Sequence, residues 1–220
     1  GVLELGELKE KFNLDQMTRL ASDILSFMDE MAQHEVSPDT ILRLSPDHFA
    51  QHWQRCLSAL KFALQWWPHY AKSQRECSRA ERTSALLLLL AQSWQDAPPD
   101  YPIIAAGSTG SHPATARLLK LIMRMPQGRV IVPGLDIHAS DEAWNLIAPT
   151  HPQSQLKDLL ALCDVARSDA QLLDDDMVVG SGFARARLLL DSALPAELTH
   201  RWASMQVDSA AWDDFSVHEC

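Results

Sequence analysis

Tyr101-Pro102-Ile103-Ile104-Ala105-Ala106-Gly107-Ser108-Thr109-Gly110-Ser111-His112-Pro113 is the stretch that decides the fold. The short apolar run ending at Ala106 reads as a buried strand. Glycines at 107 and 110 make a tight loop, since glycine accepts positive φ without strain. His112-Pro113-Ala114-Thr115 then opens a helix to about Met125. Gly128 breaks the chain, and Arg129-Val130-Ile131-Val132 is short and β-rich. Strand, loop, helix and strand at this spacing predict a βαβ unit with a parallel sheet.

On either side the pattern is helical. Leu14, Met17, Leu20, Ile24, Met28 and Met31 recur at helical spacing. Ser37-Pro38-Asp39 and Ser45-Pro46-Asp47 are helix starts, with serine as N-cap and proline at the first helical position. The second opens a long amphipathic helix that Pro68 is expected to kink or end. Another helix spans about 78–95 and carries Ala85-Leu86-Leu87-Leu88-Leu89-Leu90. Trp53, Trp66, Trp67 and Trp94 are read as core, with an interface to a partner subunit as the alternative. Ala97-Pro98-Pro99-Asp100 is a linker. After the sheet, helices are expected over 141–147, 153–162, 182–192 and 196–205. Asp174-Asp175-Asp176 is read as a solvated turn, and the alternating residues 215–220 as a strand. The fold class is therefore α/β, predominantly helical.

The 220 residues include 19 Lys and Arg against 29 Asp and Glu, a net charge of −10, with 46% hydrophobic residues. Such a chain folds around its own core without disulfides or metal. Its acidity excludes a free-standing DNA-binding module, which needs a basic footprint. The longest apolar run, residues 85–91, is far below the ~20 residues that span a bilayer. Residues 1–13 are charged and lack the apolar core of a secretion signal. Cys56, Cys77, Cys163 and Cys220 are widely spaced, as reduced thiols in a cytoplasmic protein would be. His48 and His52 stand four apart on one helix without a third ligand, so no metal site is assigned. No catalytic residue and no cofactor are assigned either.

Residues 101–134 contain no acid but four cations, Arg117, Lys120, Arg124 and Arg129. The first three recur at i, i+3 and i+7. A basic stripe beside the loop Gly107, Ser108, Thr109, Gly110 and Ser111 fits a nucleic-acid backbone. The alternative is a phosphate- or nucleotide-binding α/β domain using that loop. No lysine follows Gly110, however, so the usual phosphate-loop pattern is absent. Asp136 follows the second strand, at the usual ligand-binding edge of an open α/β sheet.

The stretches 101–119 and 126–136 resemble the AddB family, second subunits of the bacterial AddAB helicase–nucleases of double-strand-break repair, in their alphaproteobacterial form. Asp141-Glu142-Ala143-Trp144, His151-Pro152-Gln153 with Leu156-Lys157, and Arg185-Ala186-Arg187-Leu188-Leu189 follow in the family's order, and upstream His52-Trp53-Gln54 and Trp67-Pro68 also fit. The resemblance covers about residues 45–220. It implies an inactivated superfamily I helicase. Residues 1–97 would be a helical insertion, 101–206 the end of a first RecA-like domain, and 207–220 a linker with the first strand of the next. The chain would then be an internal piece of a longer protein. Active relatives carry an Asp–Glu pair where this chain has Ala105-Ala106-Gly107-Ser108-Thr109, and Asp136 with Gln153 would be a degenerate motor motif. The implied role is a non-catalytic wall of a DNA channel, with an AddA-like subunit and single- or double-stranded DNA as partners and no membrane.

Overall fold

The structure, a computed structural model, describes residues 13–43, 51–173 and 181–205, with only the helical backbone given for 51–59 and 181–183. The chain divides into two compact units. One comprises Gly1–Pro98 and His112–Leu118, the other Pro99–Ser111 and Leu119–Cys220.

The first unit contains α1 (Leu14–Gln33), α2 (Pro38–Leu42), α3 (Gln51–Gln74) and α4 (Arg79–Asp96). Two of these begin with reciprocal caps. The Asn13 side chain accepts the Gln16 N–H at 2.8 Å, and the Gln16 side chain accepts the Asn13 N–H at 3.0 Å. Ser78 and Glu81 do the same at 3.1 and 2.8 Å. Each pair satisfies two N–H groups that a helix start leaves without an internal partner. Ser37 caps α2 with Pro38 at its first turn, as its sequence predicts. The Ser45-Pro46-Asp47 start lies outside the described residues. α1 packs against α4 and α3, around Met31, Leu64, Ala71 and Ala80.

The expected helix end at Pro68 and the core reading of Trp66 are corrected here, each for a physical reason. Pro68 does not end the helix, because α3 continues to Gln74. Leu64 and Ala71, one turn before and one after it, are both buried. Burial on both sides offsets the ~3 kcal/mol that an interior proline costs. The leucine run of α4 is not buried as a whole. Consecutive residues on a helix step round the whole circumference, so Leu86, Leu88, Leu89 and Leu90 are exposed. Trp66 is likewise half exposed, at 49%. Trp67 and Trp94 are partly buried, and the Trp53 side chain is not among those described.

The second unit contains β1 (Ile103–Ala106) and β2 (Gly128–Ile131), paired in parallel with Ile103 opposite Gly128 and Ala106 opposite Ile131. Between them in sequence runs α5 (Pro113–Arg124), whose residues are divided between the units. α6 (Asp141–Asn145), α7 (Ser154–Cys163), α8 (Ser181–Ser192) and a 3-10 segment, Ala196–Ser204, follow. Leu119, Ile122, Leu156, Leu159, Leu160 and Leu198 are among the buried residues of this unit. The architecture is thus predominantly helical with a small two-stranded parallel sheet. β1 is only half buried: its residues alternate, and Ile104 is 63% exposed. The expected helix at 196–205 is 3-10 rather than α. The acidic turn 174–176, the strand 215–220 and the segment 207–220 lie outside the described residues. No helix among the described residues is long and apolar enough to cross a membrane.

Gly128 fixes how β2 starts. A Cβ there would lie 1.7 Å from the Ile122 carbonyl oxygen. Its N–H donates to the Met125 carbonyl at 3.0 Å. No residue with a side chain fits against the end of α5 in this way.

Candidate functional site

The loop after β1 is built by two glycines with positive φ, 81° at Gly107 and 67° at Gly110. A Cβ at Gly107 would meet nothing within 4 Å, so conformation and not space demands glycine there. The N–H of Gly107 continues the sheet ladder to the Ile131 carbonyl at 3.0 Å. The N–H of Gly110 donates to the Ser108 hydroxyl at 3.2 Å. Thr109 donates its hydroxyl to the Gln155 side chain at 3.1 Å. A phosphate cradle works through N–H groups that point at the ligand. Two of this loop's N–H groups already have internal partners. Ser111 is half buried and ends the loop.

The basic stripe is paired. In the first unit Arg117 meets Glu35 through two parallel contacts of 2.5 Å. The guanidinium holds the Glu35 carboxyl below the usual carboxylate range, chiefly through those hydrogen bonds, and the Arg117 pKa is raised in turn. In the second unit Lys120 donates to the Leu162 carbonyl and lies 3.4 Å from Asp164. Arg124 reaches the same Asp164 carboxylate at 3.2 Å. Two cations sharing one carboxylate leave a surplus positive charge at that end of α5. Asp164 itself sits in the left-handed region, φ 59°, as the cap of α7. Arg129 donates to its neighbour's carbonyl, that of Gly128, at 2.7 Å.

The two residues read as a degenerate motor motif come together, although 17 positions separate them. The Gln153 carboxamide oxygen accepts the Asp136 N–H at 3.1 Å, and its nitrogen donates to the Gly134 carbonyl at 2.7 Å. The Gln153 N–H donates to His151 Nδ1 at 3.0 Å. That leaves His151 Nε2 as the donor to the Ala193 carbonyl. Asp136 is buried, and its Oδ1 accepts the His138 N–H at 3.0 Å. Arg187 Nη1 stands 3.6 Å from Asp136, while the rest of that guanidinium holds Asp191 at 3.0 and 3.2 Å. Arg187 Nη1 is buried without a hydrogen-bond partner.

Asp136, His138, His151, Gln153, Arg187 and Arg201 line a pocket of about 530 Å³ in this unit. Both ends of the Gln153 carboxamide are spent on the backbone of residues 134–136. Asp136 is spent on a turn and on Arg187. The pair therefore acts as a latch that fixes the loop after β2. Arg187 and His151 belong to this latch without carrying a spacing signal of their own.

Among the described residues no group of three or more His, Cys, Asp or Glu is placed to hold a metal ion. The His48 and His52 side chains lie outside the described set. Cys163 is buried, and burial pushes its thiol pKa up; Cys77 is exposed. Comparison with protein-family models, with curated proteins and with solved structures gives no match for this chain.

Proposed function

We propose that this chain is a non-catalytic, helicase-like segment of an AddB-type subunit of a cytoplasmic double-strand-break repair helicase–nuclease. In this reading it forms part of a single-strand DNA path and assembles with an AddA-like motor subunit. The observation that carries the reading is the parallel β1–loop–α5–β2 unit whose first strand ends in Ala105-Ala106. A motor of this architecture holds Mg²⁺ and orients the attacking water with acids at that place. Methyl side chains offer no oxygen ligand for a hard cation. The nearest acid after β2, Asp136, is offset by Arg187 and held in a turn.

Use of the loop as a phosphate cradle is disfavoured by the internal partners of the Gly107 and Gly110 N–H groups. DNA contact through α5 requires phosphate to replace carboxylate at Arg117, and to join the surplus charge at Lys120 and Arg124. Such contacts are electrostatic and fall steeply with salt. The test is a paired assay on the 220-residue chain. The expected result is weak, salt-sensitive binding of single-stranded DNA, as from one wall of a channel, without Mg-dependent ATP turnover. Robust turnover would sink the reading.

A further inference from the structure

We propose that the outer face of α4 is a self-association surface, on which a second copy of the chain docks with its own α4 running antiparallel. Arg82, Leu86, Leu89, Ser93 and Asp96 follow at intervals of four, three, four and three. That spacing keeps residues on one side of a helix and forms the seam between paired helices. All five are exposed, Leu86 at 59% and Leu89 at 61%. Leu90, at 37%, broadens the stripe. The other side of α4 carries Ala80, Ser84, Leu87, Ala91 and Trp94, which are buried or half-buried. Three neighbouring leucines left open on one helix are a contiguous apolar patch, the usual mark of an interaction surface.

Charge identifies the partner as a copy of the same helix. Arg79 and Arg82 stand at the start of α4, and Asp96 is its last residue. Both placements oppose the helix macrodipole, which favours acids at the N-terminus and cations at the C-terminus. Glu81, the acid of the first turn, is spent on the cap with Ser78 and lies off the stripe. Among the described residues no ion pair uses Arg79, Arg82 or Asp96, although Arg82 borders a groove that also holds Asp29 and Glu76. An antiparallel copy reverses the sign at both ends. Residues 82 and 96 lie seven positions either side of Leu89. A two-fold axis at Leu89 therefore packs that leucine on its counterpart. It also sets Arg82 beside the partner's Asp96, at the C-terminal end of the partner's helix. The surface is its own complement, as a two-fold interface requires. A parallel copy would set Arg82 against Arg82.

The surface is independent of the single-strand reading, and its failure leaves that reading untouched. α4 has 18 residues and is about 27 Å long, so the seam is shorter than a standard interface and the dimer is weak. Sedimentation equilibrium of the 220-residue chain at low salt, from about 1 µM to about 1 mM, is expected to show a monomer–dimer equilibrium. Leu86→Glu with Leu89→Glu, at two exposed positions, should weaken dimerisation about tenfold or more with circular dichroism unchanged. Arg82→Asp should weaken it about threefold or more. Arg82→Asp with Asp96→Arg exchanges the charges across the axis and should return to within about twofold of the parent. Both charge changes suit the dipole of the isolated helix, so loss of the dimer in Arg82→Asp is not loss of the helix.

A chain that stays monomeric throughout that range overturns the proposal. So does a dimer that the leucine pair leaves unmoved, because the contact then lies elsewhere. Loss of the dimer in the leucine pair without a response to Arg82→Asp, or without recovery in the exchanged double variant, excludes the antiparallel pairing and likewise overturns the proposal.

Discussion

Gln153 holds Asp136 by its backbone, not by its carboxylate: the carboxamide oxygen accepts the Asp136 N–H at 3.1 Å and the nitrogen reaches back to Gly134 at 2.7 Å. One side chain therefore bridges both ends of the turn that leaves β2. Gln153→Ala leaves a buried N–H and a carbonyl unpaired, at a cost of about 1–3 kcal/mol. Gln153→Glu keeps an acceptor for Asp136 but presents no donor to Gly134 at neutral pH and adds charge beside a buried aspartate, so it should cost at least as much. Thermal or urea unfolding of the two variants checks this.

The two glycines of the βαβ unit should respond differently. Gly128→Ala places a methyl group 1.7 Å from the Ile122 carbonyl, which forces α5 and β2 apart. Loss of several kcal/mol, seen as insoluble or unfolded protein, is expected. Gly107→Ala meets no neighbour and carries only the positive-φ strain, about 1–2 kcal/mol. A melting comparison of the two separates steric from conformational demand.

How much of this was legible in the sequence follows from the kind of signal involved. The βαβ unit announced itself through local events: an apolar tetrapeptide, two glycines and a second β-rich tetrapeptide. Helix starts were equally local, and Ser37-Pro38 folds as its chemistry requires. Pro68 misled because the penalty of proline is local while its compensation, the burial of Leu64 and Ala71, is tertiary. Trp66 misled because hydrophobicity does not say which side of a helix faces a neighbour. The ion pairs of the α5 cations were invisible because Glu35 and Asp164 lie 82 and 40 positions from Arg117 and Arg124. Asp136 stands out by its place just after the second strand and Gln153 only through the resemblance; neither signal carries their mutual bonding, which joins residues 17 positions apart.

The Arg117–Glu35 pair makes stability depend on pH in a defined direction. The folded-state pKa of Glu35 is lowered. Its contribution is therefore complete above the ordinary glutamate value and lost as pH falls through the folded value. The melting temperature of the parent minus that of Glu35→Gln should be largest at neutral pH, shrink on acidification and vanish in strong acid. The pair is solvent-exposed, so the difference should be small and should also shrink with salt.

Thiol reactivity should split in the same spirit. Cys77 is exposed, whereas Cys163 is buried with its thiolate disfavoured by that burial. Peptide mapping after brief alkylation should find Cys77 modified well before Cys163, which is labelled only after denaturant is added. Equal labelling in the native protein would contradict the core around α7.

The proposed role is that of a helicase-like frame that contacts a single strand and leaves motor chemistry to a partner. Anisotropy of labelled oligo(dT), measured between about 50 and 200 mM salt with and without ATP and Mg²⁺, tests it most directly. The account predicts binding that weakens steeply with salt and does not change with nucleotide. Absence of binding at the lowest salt, or binding that shifts on adding ATP and Mg²⁺, would contradict it.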